Sequence, residues 1–310
     1  MIKPGQGPGV IALAAVFLAL NLFFIGVRCY TKARISKNFN YNDVGMLVVV
    51  ATYASLMALL ILGVENGIGT HTTSATLVEI GNSLKYIWFL EFIYVILTSI
   101  MKASIATTLL QWSRSRLHTA ILWAAIAADF TIALVFCLYL ILQCRPVSYA
   151  WTFINPLVKG KCAPFVGQLY MGYALCIVTI TLDMIFLFLP FVMLKGRGVN
   201  KTLKLYTYGI FGLGVLASIA NFIRLAALVK LKGSKDQLFD ASPVFAWSIV
   251  EVSIGICVAG ILELGPLMRR YNVKGFESYS GQFAKMGDDT EPLKLQDMGK
   301  GDGMGFGVHE

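Results

Sequence analysis

The stretch from Tyr86 to Leu110, YIWFLEFIYVILTSIMKASIATTLL, carries only two formal charges, Glu91 and Lys102. About 20 consecutive apolar residues, rising 1.5 Å each, cross the roughly 30 Å hydrocarbon layer of a bilayer, so this run is long enough to span one. Similar runs occur at Gly9 to Val27, Val44 to Val64, Thr119 to Leu142, Phe165 to Leu194, Leu205 to Val229 and Ala241 to Met268. Seven such spans would take up about half of the chain and leave short connections. The composition agrees, being 57% hydrophobic and 14% charged over 310 residues, whereas roughly a quarter of residues in a soluble domain are charged. A water-soluble enzyme is excluded. The expected fold class is all-α, a bundle of seven transmembrane helices.

The net charge of +9 would suit nucleic acid in another chain. Here the basic residues sit between apolar runs, which is membrane topology, and no nucleic-acid partner is expected. Arg28, Lys32, Arg34 and Lys37, then Arg114 and Arg116, then Lys195, Arg197, Lys201 and Lys204, mark alternate loops. Their excess places the amino terminus outside and the tail in the cytosol. The first run follows Lys3, yet it is long and ends at Arg28-Cys29-Tyr30 rather than at small residues, so it reads as a retained helix and not a cleaved leader. Residues 1–270 are expected to form the seven-helix domain. The Gly-, Lys-, Asp- and Glu-rich residues 271–310 are expected to form a disordered cytosolic tail. His71, His118 and His309 are too scattered for a metal centre, and no metal or other cofactor is expected.

Cys29, Cys137, Cys176 and Cys257 lie in or at the ends of apolar runs, where a thiol acts as a small apolar side chain. Cys144 and Cys162 lie in the one long loop, which the orientation above places in an oxidising compartment. A disulfide between them is expected, closing about 19 residues at a gain on the order of 3 kcal/mol. Trp151 and Phe153 would make that loop a lid over the bundle, or serve as interfacial aromatics.

Charged side chains inside a span are costly and turn inward, so each is a candidate site residue. Glu91 and Lys102 are 11 positions apart, which at about 100° per residue returns them to within roughly 20° of one face. Arg224 near the outer end of the sixth span, and Glu251 two turns into the seventh, fall at a depth similar to Glu91. The three are expected to cluster, with Asn221 one turn before Arg224 sharing its partner. Lys102 lies deeper, where Asp183 is expected to pair with it and Asp129 also sits near mid-membrane. The Lys102 and Asp183 pair reads as structural. Glu251, which shares a face with Trp247, could be either a packed seam or a carboxylate beside an aromatic that holds a polar or cationic ligand. Asp43 and Glu263, near the inner surface, are expected to be solvated.

Several motifs together resemble those of the fungal rhodopsin-like seven-helix integral membrane proteins, the membrane core of CFEM-type fungal receptors. They are Arg28-x-Tyr30 with Asn42-Asp43, Gly67-Ile68-Gly69-Thr70-His71, Lys102-Ala103-Ser104, Cys144-x-Pro146 with Trp151 and Gly160-x-Cys162, Asp183 with Pro190, Arg224-Leu225, and Trp247-x-x-x-Glu251. The resemblance runs from about Arg28 to Arg269 and implies a seven-helix fold with a receptor-like role. Few residues precede the first span, so the CFEM module is not expected. A retinal Schiff base needs a lysine, usually on the seventh helix. Ala241 to Met268 contains none, so retinal is not expected either.

The leading reading is a receptor-like protein of the plasma membrane or an endomembrane. It binds a small or lipid-soluble ligand through Glu251, Trp247, Arg224, Glu91 and Asn221, and its inner basic loops meet anionic lipid or a signalling partner. The alternative is an intramembrane biosynthetic enzyme, a cyclase or isomerase of a hydrophobic secondary-metabolite intermediate, with Glu251, Asp183 or Glu91 as acid or base. The topology predicts that protease added to the cytosolic face of sealed vesicles removes a carboxy-terminal tag. It also predicts that the sequon Asn200-Lys201-Thr202 carries no glycan. A tag cut only from the opposite face, or a mobility shift on glycosidase treatment, contradicts the orientation.

Overall fold

The computed structural model describes residues 6–31, 34, 41–113, 115–155, 157–194, 201–234 and 236–262. In chain order the elements are α1 (Gly7–Tyr30), α2 (Tyr41–Glu65), a 3-10 turn (Thr72–Ser74), α3 (Leu77–Trp112), α4 (Arg116–Leu142), β1 (Cys144–Arg145), α5 (Tyr149–Thr152), β2 (Lys161–Cys162), α6 (Phe165–Leu194), α7 (Lys201–Leu231), α8 (Gln237–Asp240) and α9 (Ser242–Leu262). Among the described residues seven helices are long and apolar enough to cross a membrane: α1, α2, α3, α4, α6, α7 and α8–α9 taken together. The chain is a multi-pass membrane protein. A helix satisfies its own backbone hydrogen bonds, which is what hydrocarbon demands. Glu263 and residues 271–310, read above as solvated and as a tail, lie outside the described residues, as do Arg114 and residues 195–200.

The helices close a ring. Each long helix packs on the next, and α9 returns to α1, while α3 also meets α9 across the interior. That makes α3 the most enclosed of the seven. Its inward face, including Leu90, Val95, Leu97 and Met101, forms the core with Val49, Tyr53 and Leu60 of α2 and Val252 and Ile256 of α9. Val16 and Phe23 of α1, Phe130 and Leu134 of α4, Phe188 of α6 and Phe222 of α7 point outward as an apolar, lipid-facing surface.

Two differences from the sequence reading have clear causes. The third helix begins nine residues earlier than the apolar run that starts at Tyr86, so Glu79 and Lys85, which precede that run, belong to it. Thr76 caps it: its hydroxyl accepts from the Glu79 amide, and Glu79 accepts in return from the Thr76 backbone amide at 2.8 Å. This reciprocal box stabilises a helix start that hydropathy does not register. Asp43 is not solvated but buried, 3.1 Å from the Arg28 guanidinium, which also donates to the Ala259 carbonyl at 2.8 Å. Asp43 lies in the first turn of α2, where a negative charge complements the helix dipole, and Arg28 in the last turn of α1 reaches it from the preceding helix. The pair therefore ties α1, α2 and α9 together at the end opposite the disulfide.

The connection from α2 to α3 folds back over the bundle. Gly67 and Gly69 adopt φ of 118° and 84°, values that side-chain-bearing residues rarely adopt. This turn buries Ile68 and lets the Gly69 backbone bridge two other segments, accepting from the Gln6 amide and donating to the Leu238 carbonyl, both at 3.1 Å.

Candidate functional site

The disulfide end of the bundle is covered by the segment between α4 and α6. Cys144 and Cys162 face each other across the two-stranded β1–β2 ladder and form a disulfide, with a Cα separation of 4.1 Å. The Ala163 amide donates to the Gln143 carbonyl at 2.7 Å, holding the base of the loop. Trp151 of α5 packs against Trp88 and Phe89 of α3 with ring centroids 5.8 and 6.2 Å away. The lid is thus fastened covalently at its base and by aromatic contact at its tip.

A second clasp joins the turns before α3 and α8. Asp236 accepts from the Thr72 amide at 2.8 Å, from the Thr72 hydroxyl, and from His71 Nδ1 at 2.6 Å. The His71 ring also stacks on Phe239 at 4.3 Å. Slight burial favours the protonated Asp236 carboxyl, but the hydrogen bonds from Thr72 and His71 outweigh it and hold the group below the usual carboxylate range.

Beneath these covers lies a cavity of about 640 Å³, walled mainly by α3, α6, α7 and α9 and closed in part by Tyr149, Phe153 and the disulfide. Its wall is apolar apart from a few groups, of which Glu91 and Arg224 are the charged ones. Glu91 accepts a hydrogen bond from Gln168 Nε2 at 2.7 Å. At the bottom, Arg224 of α7 stands over the Tyr94 ring, 4.9 Å from its centroid, and its Nε lies 3.5 Å from Glu251 Oε2. The Tyr94 hydroxyl donates to the same carboxylate oxygen at 2.7 Å. The Arg224 contact is too long for a strong hydrogen bond and acts as a charge pair. Arg224 Nε and Nη2 and Glu251 Oε1 are all buried without a hydrogen-bond partner.

Deeper in the bundle, Lys102 Nζ is 3.0 Å from Asp183 and donates to the Thr179 carbonyl at 3.3 Å. Asn221 donates to the other Asp183 oxygen at 2.6 Å. Asp129 is buried in the same layer, with Oδ2 unpartnered. A separate cluster on the far side joins α1, α2 and α9: Ser253 accepts from Asn21 at 3.2 Å and lies 2.9 Å from the Tyr53 hydroxyl.

Arg224 and Glu251 therefore meet, whereas Glu91 stands apart on Gln168 and Asn221 turns to Asp183 rather than to the partner of Arg224. Trp247 does not line the cavity, and Glu251 and Asp183 lie behind its wall. Tyr94, Gln168 and the His71–Asp236 clasp were not singled out by sequence. Tyr94 carried a usable signal, since it lies three residues after Glu91 on the same helical face. Gln168, one turn into α6, carried a weaker one. Asp236 carried none, because its partners are 164 and 165 positions away.

The fold and site define a seven-helix membrane protein with a lidded, largely apolar cavity at one end and a buried ionic layer below it. The model of the fungal rhodopsin domain matches residues 27–270, and the chain belongs to that family. No curated protein and no solved structure matches it.

The Arg224–Glu251 contact predicts a coupled mutant cycle. Arg224→Gln and Glu251→Gln should each lower the unfolding midpoint in detergent, because each strands a buried charge at a cost on the order of 3–5 kcal/mol. The double variant should recover part of the loss. Strictly additive losses would remove the pair from the account.

Proposed function

We propose that this chain is a receptor-like membrane protein that takes a small, largely apolar ligand into the cavity beneath the Cys144–Cys162 lid. The supporting observation is the cavity itself: about 640 Å³, within the size range of small-molecule sites, with an apolar wall broken by a few convergent polar groups. In this reading Glu91 and Arg224 contact the ligand. Glu251 holds Arg224 in place, Asn221 acts through Asp183, and Trp247 supports α9 from outside the cavity. The Lys102 and Asp183 pair fixes α3 against α6. The lid faces the outside, residues 271–310 form the cytosolic tail, and the basic residues from Arg114 to Arg116 and Lys195 to Lys204 meet anionic lipid or a signalling partner.

One observation keeps the enzyme reading in view, because Glu91 is a carboxyl in the wall of an apolar cavity, a placement suited to general acid or base work on a hydrophobic intermediate. Asp183 and Glu251 lie behind the wall, so Glu91 is the residue that would serve. A receptor returns its ligand unchanged, while a cyclase or isomerase returns a rearranged product. Chromatography of the recovered ligand separates the two.

The ligand-binding reading is tested with a neutral alkyl diazirine probe on the full chain in lipid nanodiscs. Labelling should saturate and map to cavity residues such as Leu228 and Phe245. Gly172→Phe should weaken it several-fold, because even a Cβ at Gly172 would come within 2.9 Å of the Leu228 side chain and a ring there would take up part of the space. Labelling confined to the lipid-facing Phe130 and Leu134, and unchanged by the substitution, would overturn the reading.

A further inference from the structure

The ionisable groups of the cavity wall are unequally paired. Arg224 (+1) is offset by Glu251 (−1) immediately behind it, 3.5 Å away. The Glu91 carboxyl has no such partner. Its hydrogen bond comes from the neutral Gln168 amide, and among the described residues no Lys or Arg lies within ion-pair distance of it. An ionised carboxylate in a low-dielectric wall needs a countercharge, and the protein does not supply one.

Several aromatic rings share the cavity wall with Glu91. Trp88 lies three residues earlier and Tyr94 three residues later on α3, so both share its face. Trp88, Tyr149, Phe153, Phe165 and Phe245 line the cavity with Tyr94, whose own ring already faces Arg224. Trp88 is held in place, since its ring stacks on Phe92 at 5.5 Å and its indole N–H donates to the Leu140 carbonyl at 3.2 Å. Ring faces attract cations through their quadrupoles, and the attraction grows as water is excluded. A carboxylate without a cationic partner, in a largely apolar wall that also carries aromatic rings, complements a positive charge carried on an apolar body.

We infer that the ligand is a hydrophobic amine, protonated at neutral pH, whose ammonium pairs with Glu91 and donates to the Gln168 carbonyl oxygen while its apolar body fills the space toward Phe245. This deepens the ligand-binding reading and rests on it. An anionic ligand is disfavoured because it would meet the Glu91 charge and would have to compete with Glu251 for Arg224. The spare N–H groups of Arg224 suit a neutral oxygen on the same molecule.

The experiment uses three diazirine probes with one alkyl chain, ending in a primary amine, an alcohol or a carboxylic acid, on the full chain in nanodiscs of neutral phosphatidylcholine at pH 7. The amine should saturate the cavity labelling at a concentration about tenfold or more below the alcohol, with the acid weakest. Glu91→Gln should remove the amine's advantage over the alcohol, and an unfolding midpoint and size-exclusion profile matching the wild type in detergent show separately that the variant is folded. If the alcohol labels as well as the amine, or the acid labels best, the amine assignment fails while cavity binding stands. The assignment also fails if Glu91→Gln leaves the amine's advantage intact. If none of the three saturates, the ligand-binding reading fails and this inference with it.

Discussion

A guanidinium inside a bilayer cannot shed its proton and cannot be left without a counterion. Arg224, almost fully buried in α7, therefore dictates much of what surrounds it. Glu251 must come from α9 and Tyr94 from α3, which brings three helices that are far apart in sequence to one point. One layer below, the Lys102 ammonium is held by a carboxylate in turn, drawing α3 to Asp183 of α6, while Asn221 brings α7 to that carboxylate. Hydrophobic contact alone does not orient helices in lipid, because lipid tails are as apolar as the helix faces. The polar pairs, with close packing, determine which face of each helix turns inward.

This ionic layer closes the bottom of the cavity, and the disulfide segment covers its top. The two ends are built differently for a physical reason. The bottom lies in hydrocarbon, where paired charges are stable only if enclosed. The cover lies where water reaches, so it relies on a covalent bond, a short ladder and aromatic packing. The His71–Asp236 clasp secures another part of the mouth with hydrogen bonds and the stacking of His71 on Phe239. Glu91 is the wall carboxyl that neither arrangement pairs with a cation, and the proposed amine rests on it.

The seven spans were legible because nearly uncharged runs of that length have no other stable form in water or lipid, and residues such as Glu91 and Lys102 could be given a depth and a face from the helical repeat. The Cys144–Cys162 pairing was legible because no other two cysteines share a loop. Relative rotation between helices was not. Glu91, Arg224 and Glu251 sit at comparable depths, yet the azimuth of α3 turns Glu91 toward Gln168 of α6 and leaves Tyr94 to meet Glu251. Asp43 was missed for a related reason: its distance from the span's centre suggests water, but the Arg28 guanidinium encloses it from a neighbouring helix. The early start of α3 was a local signal overlooked, since Thr76-x-x-Glu79 is a capping pattern that hydropathy ignores.

The most direct test of a lidded, ligand-sized cavity is the reactivity of Cys176, a buried free thiol on α6 that lines it. In a variant with Cys29, Cys137 and Cys257 changed to Ala, a small neutral maleimide should modify Cys176 in the folded, nanodisc-bound protein. A saturating hydrophobic amine should then block the modification. A Cys176 thiol that stays unmodified in the folded protein even at raised pH, where the thiolate forms, and reacts only after denaturation would mean that no reachable cavity exists, and the account of this end of the bundle would be wrong.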